Sequence, residues 1–126
     1  MHDMSYELLW ERKGVVKRYF GHVTCAEVFA AGIQSQSDHR FDQNRYAISD
    51  FLDCTEFVND PAMLEEIAAY AGAAEQTNKN IKIAIVATLP EIIAATKQYL
   101  QLPLQSYATR LFPTLEEARA WISESH

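Results

Sequence analysis

The run "IKIAIVAT", Ile81 to Thr88, constrains this chain more than any other segment. Apart from Lys82 and Thr88 it is apolar, and Ile81, Ile83, Ile85 and Val86 are β-branched. A short run of this kind, with no polar alternation, reads as a strand buried on both faces, as strands in parallel sheets are. Such a strand needs helices above and below it. Its parallel neighbours also need crossover connections, so the rest of the chain has to alternate between strand and helix.

The flanking sequence has that rhythm. "YELLWE" and "VVKRYFG", separated by the polar turn "RKG", read as an antiparallel hairpin. Thr24 is placed to cap a helix, with Glu27 completing a capping box and Val28, Phe29, Gly32 and Ile33 on one face. The polar stretch "QSQSDHRFDQNR" then reads as the longest loop, and "YAISDFL" as the third strand. Asp60 caps the next helix and Pro61 occupies its first turn; Met63, Ile67, Tyr70, Ala71 and Ala74 form its inward stripe. After the run at Ile81, Thr88 and Pro90 start the helix "PEIIAATKQYLQ", and "SYATRLF" returns as a strand. Thr114, with Glu117 in the box position, opens a last helix. The order β-β-α-β-α-β-α-β-α predicts an α/β fold: a mixed, mostly parallel sheet with flanking helices and right-handed crossovers. No composition break or low-complexity linker divides the chain, so residues 1–126 are expected to form a single domain.

Several function classes lose their basis here. The net charge is −6, and cations such as Arg12, Lys13, Lys17 and Arg18 are scattered without forming a basic stripe, which disfavours nucleic acid as a partner. Neither "GHVTCAEV" nor "VATLPEI" has the glycines of a phosphate loop. Cys25 and Cys54 form no metal-binding pair, and His2, His22, His39 and His126 share no ligand spacing, so no metal or other cofactor is expected. The first residues do not read as a signal peptide and no run spans a bilayer, so the expectation is a soluble, cytoplasmic protein.

The junction "YAISDFLDCTEFVNDPAML" is the place where an open α/β sheet would present a site, at the carboxyl end of a parallel strand. Cys54 has acidic neighbours, which oppose a thiolate, and it reads as a small buried hydrophobe. Asp50 and Asp53 would face opposite sides if the strand continued between them, which separates them as an acid–base pair. His22 and Cys25 have no third orienting group. No catalytic residue is assigned, and the chain is expected not to be an enzyme.

The hydrophobic residues after the third helix begins form a different signal. Ile92, Ile93, Tyr99 and Leu100 continue into Leu102, Pro103 and Leu104, in a connection that is ordinarily polar. These side chains could fold back as a lid, line a lipophilic pocket, touch a membrane surface or pair two copies as a homodimer.

The element order and the phrases "YAISDFLDCTEF", "IKIAIVATLPE" and "RLFPTLEEARAWI" resemble the SpoIIAA-like branch of the STAS superfamily, over nearly the whole chain. That resemblance implies a non-enzymatic binding module. In its partner-switching antagonists a serine at the start of the helix after the third strand is phosphorylated. Here Asn59, Asp60 and Pro61 stand at that place, so no hydroxyl remains at the switch position. A wider similarity links the type to the CRAL-TRIO lipid carriers, whose ligands lie between a sheet and mobile helices.

The leading expectation is a carrier or sensor of a small lipophilic ligand, with transient, peripheral membrane association. Its apolar site residues are Met63, Ile67, Tyr70, Ile92, Ile93, Tyr99, Leu100, Leu102 and Leu104. The alternative is a STAS-type regulatory module that lacks the phosphorylatable serine and binds a protein partner through Asp53, Thr55, Asn59 and Asp60.

Overall fold

Strand and helix alternate along the chain in the expected order. The structure, a computed structural model, describes residues 5–103 and 107–124. Strands β1 (Tyr6–Glu11) and β2 (Gly14–Thr24) form an antiparallel hairpin, and α1 (Cys25–Gln36), β3 (Tyr46–Val58) and α2 (Pro61–Ala74) follow. Then come β4 (Lys82–Val86), α3 (Pro90–Leu100), β5 (Ala108–Phe112) and α4 (Leu115–Ser123). The strands lie side by side in sequence order as one five-stranded sheet, parallel from β2 to β5.

Local chemistry accounts for most boundaries. Thr24 accepts from the Glu27 N–H while Glu27 reaches back to the Thr24 N–H, a complete capping box. Asp60 accepts from the Met63 N–H ahead of Pro61, and Thr114 accepts from the Glu117 N–H. The residue before α3 is Leu89 rather than the expected Thr88, and it makes no side-chain cap; Pro90 alone sets that start.

The sheet is covered on both faces. On one, α4 lays Ala118 and Trp121 over Val16, Ile48, Ala84 and Val86. Lys82 Nζ donates to the Trp121 carbonyl at 2.9 Å, and the same ammonium lies 5.1 Å from the Trp121 ring centre. On the other, α1, α2 and α3 cover Val15, Tyr19, Ala47 and Phe51.

Three expectations need correction. The polar stretch after α1 is not an open loop: α1 runs on to Gln36, and His39–Gln43 is a 3₁₀ helix that buries Phe41. The core face of α1 is Cys25, Ala31 and Ser35, with Val28, Phe29 and Gly32 half-buried and Ile33 exposed. Strand β3 does not end at Leu52 but continues to Val58, and it is the middle strand of the five. Two register shifts against β2 carry it through: Arg18 faces Asp50 and Phe20 faces Asp53, then Gly21 faces Cys54 and His22 faces Glu56. Each shift adds one residue to β3, a β-bulge. The inward side chains therefore change from every second residue, Ala47, Ser49 and Phe51, to every third, Cys54 and Phe57.

Candidate functional site

A cavity of about 130 Å3 lies between the sheet and the three helices on its more heavily covered face. Its floor is Lys17 and Tyr19 of β2, Ser49 and Phe51 of β3, and Ile85 of β4. Its roof takes Phe29 from α1, Ile67 and Tyr70 from α2, and Ile92 and Tyr99 from α3. The space exists because short side chains meet there: Ser49 and Thr109 in the sheet, and Gly32, Ala71 and Ala95 on the helices. Rigid aromatics frame it. Tyr19 and Phe51 stack at 4.4 Å, and Phe29 meets Tyr70 edge-on at 5.7 Å.

One lining residue does not fit an apolar interior. Lys17 follows the inward alternation of Val15 and Tyr19, beside Ser49 in register, so the pleat turns it toward the cavity, where it is half-buried. It is therefore not one of the scattered surface cations. Among the described residues no hydrogen bond or ion pair engages its ammonium, and no carboxylate lines the cavity. Burial without a counter-charge lowers its pKa to about 8. The two Val–Lys–Tyr alternation partners could have disclosed this from sequence, because a strand that buries Val15 and Tyr19 must aim Lys17 the same way.

The expected apolar site residues separate into groups. Ile67, Tyr70, Ile92 and Tyr99 line the cavity. Met63, Ile93 and Leu100 are half-buried outside it, and Leu102 lines a separate pocket with Glu65, Ala68 and Pro103. Leu104 lies outside the described residues. Sequence reasoning missed the contributions of β2, β3 and α1, which come from distant parts of the chain.

The β3–α2 junction has its own geometry. Strands β2 and β3 outrun β4, whose last partner on β3 is Asp50, so the pairs from Phe20–Asp53 to Thr24–Val58 form a two-stranded ribbon beyond it. One side of this ribbon buries Val23, Cys54 and Phe57 against the helices. The opposite side carries Phe20, His22, Asp53, Glu56 and Val58, all exposed. Leu52, at the first bulge, is exposed as well. The extra residue there returns Asp53 to the same face as Asp50, against the expected opposition, but only Asp50 is buried. Asp50 accepts from the Leu52 N–H at 2.9 Å, while Asp53 pairs with Arg18 at 2.5 Å.

The remaining junction residues differ in what engages them. Thr55 is exposed, Asn59 donates to Gln98 Oε1 at 2.9 Å, and the Asp60 N–H donates to Cys25 Sγ at 3.3 Å. Burial pushes the thiols of both Cys25 and Cys54 up, away from the thiolate. His22 bonds Glu56 at 3.1 Å, not Cys25. Among the described residues no group of three or more His, Cys, Asp or Glu could hold a metal ion, and no helix is long and apolar enough to cross a membrane.

No family model matches the chain, and no curated protein matches it. Among solved structures it is similar to the Bacillus cell fate determinant SpoIIAA in its phosphorylated form, at 15% identity and a TM-score of 0.58, covering 93% of this chain and 98% of that one. The chain thus has a SpoIIAA-like fold.

Proposed function

We propose that this chain is a non-enzymatic regulatory module that binds a protein partner through the uncovered face of the β2–β3 ribbon and the adjoining start of α2. The observation that carries the reading is the uncovered face itself. Phe20 is 37% exposed, Leu52 39% and Val58 50%, on a sheet surface that the fold's own helices leave bare. Around them stand polar groups suited to an interface rim: Asp53, Thr55, Asn59 and Asp60, with the His22–Glu56 pair. A carboxylate at Asp60 caps α2 permanently, so docking here does not depend on a modifiable hydroxyl.

The test uses the tagged chain to capture a partner from its source cells, followed by reconstitution from purified components. Phe20→Asp with Val58→Asp should weaken the reconstituted complex at least about tenfold, whereas Lys17→Met should leave it unchanged. Equal affinity of the double variant would overturn the surface. Self-association that the double variant abolishes would instead make a second copy the occupant.

The cavity favours a second reading, compatible with the first: binding of a small apolar ligand under α1, α2 and α3. Ligand binding there would act on α2, the helix whose start adjoins the ribbon.

A further inference from the structure

The floor of an apolar cavity is an unusual place for an unpaired ammonium. A buried charge without a partner is expensive, and proteins ordinarily supply a counter-charge or leave such a group at the surface. Here the lining offers none: its titratable groups besides Lys17 are Tyr19, Cys25, Tyr70 and Tyr99, three phenols and a thiol spread over β2, α1, α2 and α3. The Ser49 hydroxyl stands next to Lys17 in register and has no hydrogen-bond partner among the described residues. A cation and a free hydroxyl side by side match the two oxygens of a carboxylate.

We propose that this cavity is a site for a small apolar monoanion, a carboxylate bearing one ring or a chain of about six carbons, with Lys17 as its counter-ion and Ser49 as a second donor. The inference rests on the ligand-binding reading of the cavity and names its ligand class. Charge sets the first limit. One cation neutralises one negative charge, so a dianion such as a phosphate monoester would keep an uncompensated charge in apolar surroundings. Size sets the second. A cavity of about 130 Å3 is comparable to the engineered one of about 150 Å3 that admits benzene, so a ring-sized body fits and a long acyl chain does not. The aromatic and aliphatic walls, Phe51, Ile67 and Ile92 among them, take that body, while the carboxylate lies on the floor.

The experiment is a calorimetric titration of the whole chain at pH 7 with hexanoate and benzoate, and with their neutral counterparts 1-hexanol and benzyl alcohol. Each acid should bind at least about tenfold more tightly than its alcohol. In Lys17→Met that preference should vanish while the alcohols still bind, because the variant keeps the apolar volume and loses the charge. At pH 8.5, acid binding to the native chain should take up protons, seen as heats that depend on the buffer. Alcohols binding as tightly as acids, or a preference that survives in Lys17→Met, would overturn the charge assignment and leave the cavity reading standing. Failure of all four probes to bind would overturn the cavity reading and the inference together.

Discussion

Lys17 lies between Val15 and Tyr19 on β2, and its physical chemistry reaches the stability of the molecule. Partial burial lowers its pKa from 10.5 to about 8, a difference that costs folding at most on the order of 3 kcal/mol below pH 8. Between pH 8 and 10.5 the folded chain releases this proton and the unfolded chain keeps it, so stability rises with pH across that window. Above pH 10.5, where the Lys17 contribution is complete, the trend reverses, because burial holds Tyr99 and Tyr107 near 12 and the unfolded chain ionises its phenols first. Lys17→Met should therefore melt higher than the native chain at pH 7, by roughly 1–3 kcal/mol, and the advantage should shrink as pH approaches 10. Thermal melts of the two proteins from pH 7 to 10 check this; a constant difference would place the ammonium in water.

At the scale of elements, the bulged β2–β3 ribbon decides what the molecule presents. Gly21 sits at the second register shift with φ +71°, in the left-handed region that a side chain resists. No atom would clash with an added Cβ there, so Gly21→Ala tests backbone strain alone. It should lower stability by about 1–2 kcal/mol in chemical denaturation. An unchanged midpoint would mean that the bulge can form without the left-handed residue. The same bulges explain why the junction was misread. Period-two alternation fails after Phe51, and the mostly polar stretch from Asp53 to Glu56 looks like a loop although it is paired strand.

For the molecule as a whole, one buried amide ties distant segments together. Asn78, just past α2, donates through its side-chain amide to the carbonyls of Phe41 and Asn44 at 2.9 Å each, and its backbone carbonyl accepts from the Tyr107 hydroxyl at 2.5 Å. It joins the end of α2, the 3₁₀ segment and the approach to β5, where the core around Phe41, Ile81 and Tyr107 closes. Asn78→Ala strips the donors from two buried carbonyls and should cost about 2–3 kcal/mol, with loss of cooperativity in the melt. Asn78→Asp should not rescue it, since a carboxylate donates no hydrogen bond. The segment looked like an open polar loop because its burial depends on these contacts across the chain rather than on local hydrophobicity.

By itself the sequence determined the α/β class, the order of the elements and the helix starts at Thr24, Asp60 and Thr114, because caps, prolines and hydrophobic period act over a few residues. The resemblance to the SpoIIAA fold was also legible, in the closing strand and capped helix and in the apolar run at Ile81. The tertiary structure alone decided three matters: where β3 ends, that a cavity opens under three helices, and that Lys17 lies on its floor beside Ser49. Each depends on register between strands far apart in sequence. A shift of one residue there exchanges the buried and exposed faces, and no local propensity records which register is made.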